Sequence, residues 1–185
     1  MERWLRTSKT DSISQVIKKR RNKLAIKEGY LALLVRILVL VILGYLIFTQ
    51  VFLLSRTAGN EMFPAIKDGD LIVGFRLQKD YIKNDVVTYR VDGQRKVGRY
   101  VAQEGDVLNM DDSGSLRING TVQSGEIMYP TFAKEGIEYP YQVPEGHIFI
   151  LGDYRTQTID SRDFGPIPMD DVEGKVITIL RRRGL

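Results

Sequence analysis

The sequence predicts a mostly-β domain that follows a single N-terminal transmembrane helix. Two observations support this prediction. An apolar segment over residues 37–54 contains no acid or base other than Tyr45. After residue 54, the chain changes to short apolar runs separated by Gly, Asp and Asn, a pattern typical of strands and tight turns.

The apolar segment is long enough to cross a bilayer. As a helix, its 18 residues would span about 27 Å, close to the thickness of the hydrocarbon core. Residues 31–35 extend it, and Arg36 can snorkel toward the basic side. We therefore predict a transmembrane helix over residues 31–55. The alternative, a cleavable secretory signal, is disfavoured by the length of the run and by the lack of a following Ala-x-Ala motif.

Positive charge is concentrated on the N-terminal side of this segment. Residues 1–36 contain ten Lys or Arg and three acids, whereas residues 37–185 contain 17 basic and 20 acidic residues. This asymmetry predicts a single-pass cell-membrane protein with a basic cytoplasmic tail over residues 1–30 and an extracytoplasmic domain over residues 56–185. Within the tail, residues 12–27 are predicted to form an amphipathic helix. Nucleic acid is not an expected partner, because the positive charge lies on one flank of a membrane segment.

The composition excludes several kinds of site. The chain has no cysteine and a single histidine, His147. A disulfide framework and a thiol-ligated metal are therefore excluded. One histidine also makes a His-based metal site or a Ser-His-Asp triad improbable, and we expect His147 to be structural. No cofactor and no metal is expected.

Seven short apolar runs are predicted as strands. They cover residues 71–75, 85–91, 96–102, 116–118, 121–123, 147–151 and 175–180. Asn119-Gly120 separates two of these runs and is a strong signal for a two-residue hairpin turn. Residues 124–146 are rich in Gly, Pro and Tyr, and they are predicted to form a long loop or β-ribbon on the surface.

Three motifs follow the apolar segment in a particular order. They read Gly59-Asn-Glu-Met-Phe-Pro64, Gly98-Arg-Tyr-Val-Ala-Gln-Glu-Gly-Asp106 and Gly152-Asp-Tyr-Arg-Thr-Gln-Thr-Ile-Asp-Ser-Arg162. In content, order and spacing, the chain resembles the type I signal peptidases over about residues 37–180. The resemblance implies a signal peptidase I-type antiparallel β domain behind the transmembrane helix.

The residues at the two catalytic positions differ from those of that family. The family hydrolyses peptides with a serine nucleophile and a neutral lysine base. The resemblance places Glu61 at the serine position and Gly98 at the lysine position, so the dyad is degenerate and no catalytic residue is predicted. Lys96 lies on the same face of a regular strand as Gly98 but about 6–7 Å away along it. Aligning Lys96 with the base would lose the match at Arg99. We expect Glu61 to fill part of the volume vacated at position 98 and to hydrogen-bond Thr158 or nearby backbone amides.

Two further groups of residues follow from the resemblance. The first is a structural motif whose ion pairs and backbone hydrogen bonds hold a turn beside the site. It comprises Asp153, Arg155, Thr158, Asp160, Ser161 and Arg162. Pairing of Glu61 with Asp153 or Asp160, as in an aspartic protease, is disfavoured. The second group consists of candidates for the cleft that accepts an extended peptide. These are Met62, Phe63, Pro64, Ala65, Tyr100, Val101, Ala102 and Gln103. For Met62 and Phe63, ordinary core packing is an equal alternative.

The resemblance implies a membrane-anchored, non-catalytic homologue that binds surface proteins and assists their assembly. In Gram-positive bacteria, homologues of this kind accompany pilus subunits and sortases, which are therefore the expected protein partners. The first alternative is an active signal peptidase that removes signal peptides from secreted preproteins. The second is a regulatory protein that competes with, or shields, an active peptidase.

Overall fold

The computed structural model describes residues 2–123 and 128–181. The chain divides into two units, Met1–Phe48 and Thr49–Leu185. Residues 124–127 of the predicted loop and residues 182–185 lie outside the described residues.

The first unit consists of helix α1, Glu2–Val51, which continues for three residues into the second unit. Its segment Arg20–Val51 is long and apolar enough to cross a membrane. Apolar side chains along this segment are exposed, for example Leu40 at 67%. The short helix predicted at residues 12–27 lies within this one continuous helix.

The predicted helix end at residue 55 is wrong, because α1 ends at Val51 and strand β1, Phe52–Arg56, follows it directly. Leu53 of β1 is buried and lies opposite Gly74 of the neighbouring strand. The apolar run therefore contains the end of a helix and the start of a strand. Hydrophobicity alone does not separate these two, because both are apolar in this protein.

The second unit contains eleven strands within the described residues. After β1 they are β2 Leu71–Phe75, β3 Val86–Val91, β4 Gln94–Ala102, β5 Val107–Met110, β6 Leu116–Ile118, β7 Thr121–Val122, β8 Tyr141–Gln142, β9 His147–Leu151, β10 Ile167–Pro168 and β11 Val172–Leu180. A four-residue helix, α2 Ser161–Phe164, and a 3-10 turn, Met169–Asp171, precede β10 and β11 respectively. All seven predicted strands are present, whereas β1, β5, β8 and β10 were not predicted.

The strands form two antiparallel sheets. The larger has the order β1-β2-β11-β3-β4-β9-β10, and the smaller has the order β7-β6-β5-β8. The mostly-β, antiparallel fold class is therefore confirmed. The predicted hairpin at Asn119-Gly120 is also confirmed, since it joins β6 to β7 with positive φ at both residues, +51° and +80°.

Among the described residues of the second unit, apolar side chains are buried in three clusters. The first includes Tyr89, Tyr100 and Ile150 beneath strands β3, β4 and β9. The second joins the two sheets, and the third packs Met62 and Ile66 onto Ile72 of β2. The long segment after residue 127 contains only the short strand β8 before β9 begins, consistent with the predicted loop.

Candidate functional site

A groove of about 210 Å³ lies between the end of β1 and the start of β4. One wall is formed by the segment that continues from β1, and the other is formed by the first residues of β4. The lining residues are Ser55, Arg56, Thr57, Ala58, Gly59, Glu61, Met62, Ile66, Gln94, Arg95, Lys96 and Val97.

Among residues 2–123 and 128–181, both walls have a backbone edge that no other strand covers. Strand β1 is at the end of the larger sheet and pairs with β2. Strand β4 pairs with β3 over residues 94–99, but its pairing with β9 begins only at Arg99. Within the described part of the chain, residues 94–98 therefore have a strand neighbour on one side only. Unpaired strand edges present N–H and C=O groups that an added extended segment can bind.

A salt bridge connects the two walls of the groove. Lys96 Nζ lies 2.9 Å from Glu61 Oε1, and the two side chains are 19% and 29% exposed. The carbonyl of Glu61 accepts a hydrogen bond of 3.0 Å from the amide of Tyr154. Position 61 is thus held by its side chain against β4 and by its backbone against the segment that follows β9.

Gly98 faces a space that is already filled. A Cβ atom at this position would lie 2.4 Å from Ile150 Cγ2 and 3.1 Å from Tyr89 Cε1. Lys96 and Gly98 lie opposite Tyr89 and Val87 of β3, so they share one face of the strand as expected. Tyr89 is 1% exposed. Its burial, followed by the nearby charges of Glu61 and Asp160, raises its pKa, so its hydroxyl remains neutral.

The expectation that Glu61 fills the volume at position 98 is therefore wrong. Ile150 and Tyr89 occupy that volume, and the Glu61 carboxylate turns instead to Lys96. The expected hydrogen bond between the Glu61 carboxylate and Thr158 is replaced by the bond from Lys96 Nζ. Thr158 is buried, its amide donates to the carbonyl of Tyr154, and its carbonyl accepts from Lys134 Nζ at 2.5 Å. The unexpected partner, Lys96, reaches Glu61 because its long side chain compensates for its position along the strand.

The segment after β9 is held by buried charged groups. Asp160 caps α2 by accepting from the amide of Arg162, and the Asp163 carboxylate accepts in turn from the amide of Asp160. The Arg162 guanidinium lies 2.9 Å from the Asp160 carboxylate, with both side chains 1% exposed. Ser161 Oγ accepts from the amide of Ile150 at 3.0 Å, which attaches the segment to β9.

Two more charged residues of this segment are also tied in place. Arg99 binds Asp153 through two hydrogen bonds of 2.7 and 2.6 Å, a bidentate geometry. Arg155 is 1% exposed and donates to Thr131 Oγ1 at 2.7 Å. Burial lowers the pKa of Arg155 to about 10, and the charge of Asp153 offsets part of this decrease. The structure therefore contains the ion pairs that were predicted to hold this turn.

The predicted cleft residues are only partly in the groove. Met62 lines it, although the side chain is 4% exposed and also packs in the core. Phe63, Pro64 and Ala65 are half-buried and follow the lining segment, with a cis peptide bond between Phe63 and Pro64. Gln103 is exposed in the turn after β4.

For three residues the cleft prediction is wrong. Tyr100, Val101 and Ala102 are at most 2% exposed, because β9 covers this half of β4 and the two core clusters take up the side chains. The groove wall is instead the earlier half of the strand, Gln94–Val97, together with residues 55–59. The polar run Gln94-Arg95-Lys96 at the start of a strand was the available signal for an uncovered edge.

A metal centre is not formed by the described residues. Across residues 2–123 and 128–181, no group of three or more His, Cys, Asp or Glu side chains is arranged to hold a metal ion. The groove instead combines apolar side chains, two unpaired backbone edges and several charges. This combination is suited to binding a polypeptide strand.

The described residues form a mostly-β protein with an N-terminal apolar helix and a groove lined by apolar and charged side chains. The family described as "Signal peptidase, peptidase S26" matches residues 30–180, and the chain belongs to that family. Signal peptidase IB of Staphylococcus aureus (strain COL) is 30% identical over 175 residues, covering 83% of this chain and 88% of that protein. Signal peptidase I of Bacillus licheniformis is 28% identical over 142 residues, covering 69% and 75%.

Other relatives are matched over a smaller part of their length. The probable thylakoidal processing peptidase 2, chloroplastic, of Arabidopsis thaliana is 30% identical over 134 residues, which is 64% of this chain and 35% of that protein. The chain thus spans about a third of that relative. A crystal structure of a signal peptidase I from Enterococcus faecalis V583 is similar at 28% identity and a TM-score of 0.46, covering 54% of this chain and 97% of that one.

Proposed function

We propose that this protein is a non-catalytic member of the signal peptidase family that binds an extended segment of a surface protein. The observation that carries the proposal is the sealed space at Gly98, together with the engagement of Glu61 by Lys96. The chain has neither a hydroxyl at position 61 nor an amine at position 98.

The chemistry of these positions argues against acyl transfer. A Ser-Lys mechanism needs a hydroxyl and a neutral amine within about 3 Å of each other. A carboxylate nucleophile would give a mixed anhydride, and no general base is oriented toward Glu61 in the described residues. The Lys96 ammonium is bound to the carboxylate itself, 2.9 Å away. It therefore serves as an ion-pair partner of residue 61.

Binding requires less of the site than catalysis does. The unpaired edges of β1 and of residues 94–98 can each form main-chain hydrogen bonds with an added strand. Met62, Ile66 and Val97 give the groove an apolar lining for small side chains. The buried segment 152–165 holds the carbonyl side of Glu61 in place, so the groove is preformed.

The proposed partner is a secreted or membrane-tethered protein, such as a pilus subunit, or a sortase that joins such subunits. Support for these partners comes from the resemblance of the motifs, and it implies a Gram-positive host. The apolar part of helix α1 would anchor the protein in the cell membrane, and the basic residues in its N-terminal part would keep the N-terminus in the cytoplasm. The groove would then face the compartment in which surface proteins are assembled.

A cleavage assay tests the absence of catalysis. Full-length protein in detergent is given a preprotein with an Ala-x-Ala site, beside a variant carrying Glu61→Ser, Gly98→Lys and Ile150→Ala. The third substitution is needed because Ile150 Cγ2 would otherwise lie 2.4 Å from the new Cβ. We expect no cleavage by the wild type. Cleavage by the wild type at the Ala-x-Ala site would refute the proposal.

A crosslinking experiment tests binding. A photoreactive residue is placed at Gln94, which is exposed and lines the groove, and in a matched control at Arg117, which is exposed on the smaller sheet. We expect crosslinks to surface proteins from Gln94 and not from Arg117. Equal crosslinking at both positions, or none from Gln94, would count against the groove as a binding site.

An active peptidase is the second candidate, and two observations favour it. Lys96 does reach residue 61, and Ser55 supplies a hydroxyl in the lining of the same groove. In this case Lys96→Met and Ser55→Ala should each abolish cleavage that the wild type performs. If the wild type cleaves and both variants cleave equally well, neither residue belongs to the catalytic site.

A further inference from the structure

The groove contains an excess of positive charge on its opposite walls. Arg56 lies on the β1 wall, and Arg95 lies on the β4 wall. The Lys96 charge is balanced by Glu61, which also lines the groove. Arg56 and Arg95 are therefore the two basic lining residues whose charge Glu61 does not balance.

The two arginines differ in how they are held. Arg56 is exposed, and its Nε donates to the carbonyl of Gly69 at 3.3 Å. No salt bridge among the described residues involves Arg56. Arg95 binds Glu173 through Nε and, at 3.1 Å, through Nη2. Arg90 binds the same carboxylate at 2.7 Å, so one acid serves two guanidinium groups.

This local excess contrasts with the rest of the unit. Arg90 and Arg95 pair with Glu173, Lys96 pairs with Glu61, and Arg56 has no salt bridge among the described residues. Apart from these six residues, residues 49–185 contain 13 basic and 18 acidic residues. A positively charged groove in a domain with a negative remainder attracts a ligand of complementary charge. It also disfavours a nucleic acid, whose many phosphates would face the acidic remainder.

We propose that the groove selects an extended polypeptide segment that carries an acidic side chain, whose carboxylate is held between Arg56 and Arg95. This inference rests on the proposed function and specifies its partner. A polypeptide fits better than a lipid headgroup because two unpaired strand edges flank the groove. Arginine binds a carboxylate with directional, charge-assisted hydrogen bonds, so it discriminates strongly between Asp and Asn.

Glu173 has a defined part in this selection. Its carboxylate competes with the ligand for Arg95, because it binds Arg95 in the structure while also binding Arg90. Removing the charge of Glu173 while keeping its shape should leave both guanidinium groups available. Glu173→Gln is therefore expected to strengthen the binding of an acidic segment, whereas Arg56→Gln should weaken it.

The test measures the fluorescence anisotropy of labelled peptides with full-length protein in neutral detergent at low salt. Two eight-residue peptides rich in Ala, Val and Ser differ only by Asp or Asn at one central position. We expect the Asp peptide to bind about tenfold more tightly, in line with a charge-assisted hydrogen bond. Arg56→Gln should reduce this ratio several-fold, Glu173→Gln should increase it, and Arg117→Gln on the smaller sheet should leave it unchanged.

The contrary outcomes separate the two proposals. Equal binding of both peptides, with crosslinks from Gln94 retained, would overturn the acidic preference and leave peptide binding intact. Binding of neither peptide, together with no crosslink from Gln94, would overturn both. If phosphatidylglycerol added to the micelles displaces the Asp peptide from the wild type but not from Arg56→Gln, the anion site is a lipid site and the inference is wrong.

Discussion

Two salt bridges beside the groove involve the same kinds of charged groups in different surroundings. Asp160 and Arg162 are both 1% exposed. The Asp160 carboxylate caps α2, and the Arg162 guanidinium donates to the carbonyls of Phe132 and Arg155. Glu61 and Lys96 are 29% and 19% exposed and are joined by one hydrogen bond. The first pair is part of a buried network that holds the backbone, whereas the second lies at a surface where a ligand can compete for it.

This difference bears on which residues of the family fold can change without loss of stability. Removing one partner of a buried pair leaves an uncompensated charge inside the protein, which is strongly destabilising. Changing a partner of a partly exposed pair has a smaller effect on stability, because water solvates the remaining charge. Residues 61 and 96 are therefore expected to tolerate substitution without loss of the fold.

The largest effect is expected at the buried pair. Asp160→Ala removes a helix cap and leaves Arg162 without its carboxylate, so the free energy of unfolding should fall by about 3–5 kcal/mol. Urea denaturation of the full-length protein in detergent, followed by tyrosine fluorescence, measures this change. Asp171→Ala at an exposed position is the matched control and should change stability by less than about 0.5 kcal/mol. A loss below about 1 kcal/mol at Asp160 would contradict the described role of the pair.

The next largest effect is expected at Gly98, where the space for a side chain is already filled. Gly98→Ala would place a methyl group 2.4 Å from Ile150 Cγ2, so the core must shift, at a cost of about 1–3 kcal/mol. Ile150→Ala alone should cost about 2–5 kcal/mol through its cavity. The double variant should lose less stability than the two single losses added together, because Ile150→Ala removes the clash and the new methyl group fills part of the cavity. Simple additivity in the same denaturation assay would show that the two positions are not in contact.

A smaller effect is expected at the partly exposed salt bridge between Glu61 and Lys96. Glu61→Gln and Lys96→Met should each change the free energy of unfolding by about 1 kcal/mol or less, and a double-variant cycle should give a coupling below about 1 kcal/mol. Crosslinking from Gln94 would report whether the same variants alter binding. A coupling of several kcal/mol would show that this pair is structural in the same sense as Asp160 and Arg162.

The smallest effect is a dependence of stability on pH at Glu173. The hydrogen bond from Arg95 lowers the pKa of Glu173 in the folded protein, although partial burial opposes it. Its stabilising contribution is thus complete above the ordinary value of 4.5 and is lost as the pH falls through the lowered value. The stability difference between wild type and Glu173→Gln should therefore shrink below about pH 4.5. A difference that is unchanged down to pH 2 would contradict this assignment.

Several features could be predicted from the sequence because each depends on neighbouring residues. The apolar helix, seven strands and the Asn119-Gly120 turn follow from local periodicity and turn chemistry. The strands β8 and β10 have two residues each and are too short to give a periodic pattern. Strand β1 was predicted as helix because its apolar residues continue the pattern of α1 without a break.

The sequence by itself determined the N-terminal apolar helix, the mostly-β class, the motif around Asp160 and the residues at positions 61 and 98. Only the tertiary structure decided what those two positions do. Lys96 lies 35 residues from Glu61 along the chain, and Ile150 reaches Gly98 from a different strand. Which side chain fills a space, and which ions pair, depends on the packing of distant segments, and local sequence patterns contain no information on such distances.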